Sequence, residues 1–319
     1  MNKKNKFMEV LAMLNEITRF TKIITHTDLD GQSCPAVLKS YINMYGYEDD
    51  IMDIYYVSVQ DAKDFVLNAI AVLDKSETLF ITDLNILDDE VVKIIDEATE
   101  NGKVVYFVDH HKDSNINRPW NLSDTESNIS ATEAFAKVLF EESEMNDSIK
   151  EFIELVTLRD TWQWNKLGIK NGAKANRLNS LCFMYPKGIY FTIDMSRRLT
   201  SNSEIITDSE MSLILEEEER HNNYCIERAS TAVVKLLSIN GISYKYAKVE
   251  VDSNKYSSDT ANIIYSNRDI DFVAVYVKDT EAYALRTNKD DVDVSLIAKA
   301  FGGGGHAKAA GCKPVIDIF

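Results

Sequence analysis

Short β-rich runs alternating with longer helical patterns over the first hundred or so residues narrow the possible folds of this chain more than any other feature. Phe20–Thr25, Ile51–Val57, Thr78–Thr82 and Lys103–Val108 have strand length and strand composition, while Gln32–Tyr45, Asp61–Leu73 and Asp88–Glu100 carry helical patterns. Strands separated by helices must be joined by crossovers, which predicts an α/β fold: a parallel sheet with helices on both faces. From about Ile129 to Asn240 the pattern is mostly helical, and the long, charged stretch Glu204–Leu237 reads as a connector. Strand signals return in Ile242–Val251, Phe272–Val277 and Ala282–Thr287, ahead of a short helix over Val294–Phe301 and a glycine run. The expected organisation is a parallel-sheet domain over residues 1–200, a helical connector over 201–239 and a smaller α/β domain over 240–319.

A length of 319 residues suits two domains. The net charge of −16 argues against a grip on long duplex nucleic acid, which requires a broad Lys/Arg surface. It leaves room for a small nucleotide, because bound divalent cations reverse the field of an acidic site. Cys34, Cys182, Cys225 and Cys312 are scattered with no CxxC pair, so neither a zinc knuckle nor a disulfide framework is expected. Met1–Lys6 is polar and basic and the run after it amphipathic, which predicts no signal peptide, no membrane span and a cytoplasmic protein.

Four of the five histidines stand beside acidic or glycine-rich motifs at the ends of expected strands, where ligands bind in open α/β sheets. In His26-Thr27-Asp28-Leu29-Asp30-Gly31, residues two apart in an extended segment would point His26, Asp28 and Asp30 into one site. Gly31 would then turn the chain, Ser33 would cap the next helix, and Pro35 would sit in its first turn. Asp83 closes the run Leu79–Thr82. Asp109-His110-His111 closes Val104–Val108, with the histidines expected on opposite sides and Asp109 placed to orient an imidazole. Asp160, within Leu155–Trp164, stands at the end of a helical run. Taken singly these are also caps and turns; together they supply two His and four Asp, a donor mixture that suits manganese better than zinc. Two such ions, with one carboxylate bridging, would serve an in-line displacement at phosphorus. Trp162 and Trp164 read as core residues rather than base-stacking ones. Near the C-terminus, Gly302–Gly305 with His306 can bring backbone amides to an anion, and Arg286 can fork a phosphate.

HTDLDG, the aspartate of FITDLN, the triplet VDHHKD and the RDTW segment resemble, in order and spacing, the four motifs of the DHH phosphoesterase superfamily. ALRTN followed by FGGGGHAKAAG resembles its DHH-associated C-terminal domain. The resemblance implies that His26, Asp28 and Asp83 hold one divalent ion, and that Asp30, Asp83, His110 and Asp160 hold a second. Manganese is expected, with cobalt or magnesium as alternatives. It further implies that His111, with Asp109, touches the reacting phosphate, and that Arg286, Gly303, Gly304, Gly305 and His306 hold the rest of the substrate across an interdomain cleft. Within the superfamily the likeness is greatest to the NrnB-type oligoribonucleases, although the motif spacing is the compact RecJ-like one and His26 stands where RecJ nucleases carry an acid. The expected activity is hydrolysis of short oligonucleotides to nucleoside monophosphates. Cleavage of a cyclic dinucleotide or of pApA is the alternative, ahead of a single-strand DNA exonuclease, a pyrophosphatase or a non-catalytic nucleotide-binding module. The expected partner is thus a small nucleotide, with neither long duplex nor membrane, and self-association is left open.

Overall fold

A computed structural model describes residues 20–45, 52–166, 168–239 and 241–313. The chain divides into two units, Met1–Met211 and Ser212–Phe319.

In the first unit β1 (Phe20–His26), β2 (Met52–Val57), β3 (Glu77–Thr82) and β4 (Val104–Val108) form a parallel sheet in the order β2-β1-β3-β4. Three helices, α1 (Leu29–Met44), α2 (Ala62–Val72) and α3 (Asp89–Glu100), make the crossovers. The order reverses at β1: β2 lies on one side and β3 on the other, with Thr25 beside Thr82 and Thr82 beside Val108. The carboxyl ends of β1, β3 and β4 therefore open together at a topological switch point.

Both faces of this sheet are buried, which explains the near-continuous apolar strands. Ile24, Leu79, Ile81, Val105 and Phe107 pack with Val66 and Ile70 of α2 and Val91 and Ile95 of α3. On the alternate residues, Phe80 stacks on Tyr106 and meets Phe135 of α4 (Ala131–Leu139). Each such fully buried side chain contributes about 1.5–3 kcal/mol. The unit continues through α5 (Asp147–Asp160), α6 (Gly172–Met184) and α7 (Tyr190–Ser201).

Three local expectations need correction. The first helix begins at Leu29 with Asp28 as N-cap, so Ser33 lies inside it and donates its hydroxyl to Leu29 O rather than capping. Gly31 is likewise helical. Pro35 sits in the second turn and leaves Gly31 O without its helical donor, a loss offset by Thr25 Oγ1 at 2.8 Å. For the strand predicted over Ile51–Val57, Ile51 lies outside the described residues, as does the N-terminal segment read as free of a signal peptide.

A long helix, α8 (Asp208–Ser230), enters the second unit, where β5 (Val233–Ile239) begins a six-stranded sheet. Residues 233–239, expected to continue a helical connector, are thus a strand, antiparallel to β6 (Ile242–Val251). Their β-branched Val233, Val234 and Ile239 and the turn at Gly241 were the overlooked hairpin signal. The sheet order is β5-β6-β7-β8-β10-β9, with β7 (Phe272–Val277), β8 (Ala282–Arg286), β9 (Gly304–His306) and β10 (Ala309–Cys312). Only the β6–β7 pairing is parallel. Ala261 and Ile264 of α9 (Ser257–Asn267) cover one face, and Val294, Ile297 and Ala298 of α10 (Val294–Ala300) the other. No helix among the described residues is long and apolar enough to cross a membrane.

Candidate metal centre

The three strand ends, the first turn of α1 and the last residue of α5 bring eight of the predicted side chains into one cluster. His26 closes β1 and its Nδ1 lies 2.9 Å from Asp28 Oδ2. Asp28 reaches that position as the cap of α1, its Oδ1 accepting the Gly31 N–H at 3.0 Å. A Cβ on Gly31 would stand 2.3 Å from His26 O, so glycine is what lets helix and strand end meet this closely.

Asp30 is in the first turn of α1, not in an extended segment, and faces a different set of partners from Asp28. Its two carboxylate oxygens accept the backbone N–H groups of Ala131 and Thr132, at 2.7 and 2.8 Å, from the N-terminal turn of α4. Helix amides that have no intrahelical acceptor are natural donors to a carboxylate. This buried contact was missed in the sequence, although Ser130-x-x-Glu133 marks a helix start there and Ser130 Oγ does accept the Glu133 N–H.

Asp83 follows β3 with φ of 53°, in the left-handed region that a non-glycine residue enters at a cost. Its backbone N–H is tied to Val108 O, so the strained residue is pinned to the end of β4. His110 Nε2 lies 3.4 Å from Asp160 Oδ2, 3.8 Å from Asp83 Oδ1 and 3.9 Å from Asp30 Oδ2. Three sets have donor atoms close enough to hold a metal ion: His26, Asp28 and Asp83; Asp30, His110 and Asp160; and Asp83, Asp109, His110 and His111.

The two histidines do not point to opposite sides as expected. β4 ends at Val108, so strand alternation does not extend to them, and their rings are 4.5 Å apart. Asp109 is completely buried and holds His111 through Nδ1 at 2.8 Å, with Ser114 Oγ on its other oxygen at 2.6 Å. Burial raises the Asp109 pKa, but the bonds from His111, Ser114 and the His110 N–H outweigh it and hold the group below the usual carboxylate range. With its oxygens already taken by three donors, Asp109 is an orienting group for His111.

The carboxylates at the centre crowd one another. Asp83 Oδ2 and Asp160 Oδ2 are buried without a hydrogen-bond donor. Burial, followed by the neighbouring charges of Asp30 and Asp28, pushes Asp83 well above the carboxylate range and Asp160 up to about 8. Burial likewise raises Asp30. Carboxylates in this arrangement cannot all be ionised unless a cation joins them. The donor set, oxygen-rich with imidazole, and the two orphaned oxygens therefore fit divalent metal ions.

Beside Asp160, the Arg159 guanidinium carbon lies 5.5 Å from the Trp162 ring and 5.2 Å from Trp164. Trp162 was read as a core residue, yet it is 64% exposed.

In the second unit Arg286 ends β8, opposite Ala309 of β10, which is in turn opposite His306 of β9. Arg286 and His306 thus stand at one level, two strand spacings or about 10 Å apart. Arg286 reaches Ser258 Oγ and Ser257 Oγ at 3.2 and 3.4 Å, and no carboxylate pairs with it among the described residues. The glycine run is less open than expected. The Gly302 and Gly303 amides close the C-terminus of α10 on Lys299 O and Ala298 O, and a Cβ on Gly303 would strike Gly311 O. Gly303 is therefore a packing residue whose amide is unavailable to an anion. Gly304 and Gly305 lie in β9, where Gly305 has φ of 141° and abuts Ala310.

Residues 21–158 match the DHH family, N-terminal domain. The oligoribonuclease NrnB of Bacillus subtilis (strain 168) is 28% identical over 309 residues, spanning 93% of this chain and 73% of that protein. Among solved structures, the pGpG-specific phosphodiesterase PggH of Vibrio cholerae is similar with a TM-score of 0.57 at 17% identity, over 94% of each chain. Exonuclease RecJ bound to manganese is similar with a TM-score of 0.52 at 14% identity, over 97% of this chain and 90% of that one. At these identities the solved structures establish a common fold.

Proposed function

We propose that this chain, whose residues 21–158 match the DHH family N-terminal domain, is a cytoplasmic phosphodiesterase that hydrolyses short oligonucleotides to nucleoside monophosphates with two divalent metal ions, manganese foremost. The observation that carries the reading is the cluster of carboxylate and imidazole donors at three adjacent strand ends, with two buried carboxylate oxygens lacking any donor. His26, Asp28 and Asp83 would hold one ion and Asp30, Asp83, His110 and Asp160 the other, Asp83 being shared. When bound, the ions supply stabilisation of charge on the phosphoryl group and the means to ionise water at neutral pH.

The remaining roles belong to the chain itself. Asp109 accepts the Nδ1–H of His111 and favours the imidazolium, whose Nε2–H is then left to donate to a phosphate oxygen. Ser114 locks Asp109 in turn. α4 holds Asp30 by two amides, so the carboxylate stays in place as substrate enters and product leaves. Arg286, which no acid pairs with among the described residues, and His306 are assigned to a phosphate, with the adjoining β9 glycines Gly304 and Gly305 lending a side-chain-free edge.

Short substrates are favoured by the net charge of −16, which opposes extended polyanions. They accord with the similarity to a protein named an oligoribonuclease. Four buried, unpaired cysteines suit a reducing compartment.

The test is to strip the purified protein with a chelator, restore manganese, cobalt or magnesium, and offer di- to pentaribonucleotides, short DNA, cyclic dinucleotides and pyrophosphate. Metal-dependent release of mononucleotides from the short RNAs is expected. No turnover across that length range, or full activity in Asp83→Ala, overturns the reading.

A further inference from the structure

Of the two tryptophans after Asp160, Trp164 is half-buried and Trp162 is exposed. Trp162 leaves α5 with φ of 59° and ψ of 21°, a left-handed backbone that favours glycine or asparagine. A bulky residue held there, 64% exposed, keeps a strained backbone with little burial in return. Trp164 lies 6.5 Å away at a tilt of 37°, and Arg159 is over both rings. Arg159 Nε is buried without a hydrogen-bond partner, and no carboxylate forms an ion pair with Arg159 among the described residues, in a chain of net charge −16. Arg159 immediately precedes Asp160 in the last turn of α5, so the braced ring follows directly on a member of the carboxylate cluster. Trp164 Nε1 is buried and unpartnered as well.

An exposed indole braced by a guanidinium, beside a centre that takes phosphate, has the features of a stacking surface for a planar heterocycle. A base has a π-face whatever its identity, so such a surface recognises nucleotides without reading sequence. We propose that Trp162, held by Arg159 and Trp164, stacks on a nucleobase flanking the scissile phosphate, and so distinguishes nucleotides from other phosphodiesters. The proposal rests on the phosphodiesterase reading above and goes beyond it in naming what the site binds besides phosphate.

The experiment compares kcat/KM for a diribonucleotide with that for an abasic dinucleotide, two base-free riboses joined by the same linkage, in manganese-loaded wild type, Trp162→Leu and Trp162→Phe. A stacked base contributes enough that the preference for the dinucleotide should fall about 5- to 150-fold in the Leu variant, through KM, and recover in the Phe variant. The same preference in Trp162→Leu and wild type overturns the proposal. If wild type cleaves neither substrate, the phosphodiesterase reading fails instead, and the platform is then judged by binding alone. The chain has three tryptophans, and Trp120 is 4% exposed. An uncleavable dinucleotide with a methylenephosphonate linkage should therefore quench the emission of magnesium-loaded wild type, with most of the quench lost in Trp162→Phe. A quench of equal size in that variant, or none in wild type, overturns the proposal.

Discussion

Replacing Gly31 by alanine sets two physical effects of opposite sign against each other. Gly31 lies inside α1 with ordinary helical backbone, and there alanine is normally better by about 1 kcal/mol. The new methyl, however, would stand 2.3 Å from His26 O, 2.6 Å from its carbonyl carbon and 2.8 Å from its Cα, all backbone atoms with no rotamer to yield. Helix and strand end must part by about 0.7 Å before even the tightest ordinary contact is restored, and overpacking of this kind costs about 1–3 kcal/mol. The clash outweighs propensity, so net destabilisation of up to about 2 kcal/mol is expected. For a unit of 211 residues that lowers Tm by up to about 8 °C. The same shift moves Asp28 and Asp30 away from His26 and His110, and displacement on this scale costs about 100-fold in rate. Thermal melts and kcat/KM on a diribonucleotide at saturating manganese read both effects. A Gly31→Ala protein more stable than wild type and equally active would refute the close approach.

Asp109→Asn should keep the fold but lose the charge that favours the His111 imidazolium, with kcat falling about 100- to 10,000-fold and little change in KM; an equal loss from KM alone would place Asp109 in substrate binding instead. Arg286→Ala should raise KM for a dinucleotide about 10- to 150-fold while leaving Tm within a degree or two, checked by steady-state kinetics and calorimetry. Arg198 donates to Glu210 at 2.6 and 2.7 Å, and although burial raises the carboxyl, this pairing and the Thr207 bonds bring it down to about 2. A depressed carboxyl stabilises the fold above its ordinary value near 4.3 and loses that contribution as pH falls through 2. The Tm gap between wild type and Arg198→Gln should accordingly be widest at neutral pH and shrink below about pH 4; a gap independent of pH would show that charge plays no part in this contact.

Much of the cluster was readable because it is written at strand ends. A run such as Leu79–Thr82 announces a buried parallel strand by composition, and the residue after it must lie at the sheet's open edge, which is why Asp83 and Asp109 could be placed with no knowledge of packing. The same local logic failed where geometry changes at the boundary. Asp30 was assigned to the face of Asp28 by strand alternation, but the helix begins one residue before it, and His110 and His111 were separated by a strand that had already ended. The strand Val233–Ile239 was lost to the charged helix that precedes it.

Sequence by itself determined the alternation of strands and helices, the order of the carboxylate and imidazole donors and the acidic balance of the chain, since each depends on the character of near neighbours or on composition. Tertiary structure alone decided which donors meet which carboxylate: that α4 supplies two amides to Asp30 from a hundred residues away, that Gly31 must lack a Cβ because His26 O is there, and that Gly303 spends its amide on a helix end. It also decided that Trp162 faces outward. Hydrogen bonds and van der Waals contacts act over a few ångströms, and only the packed fold sets those distances between residues far apart in the chain.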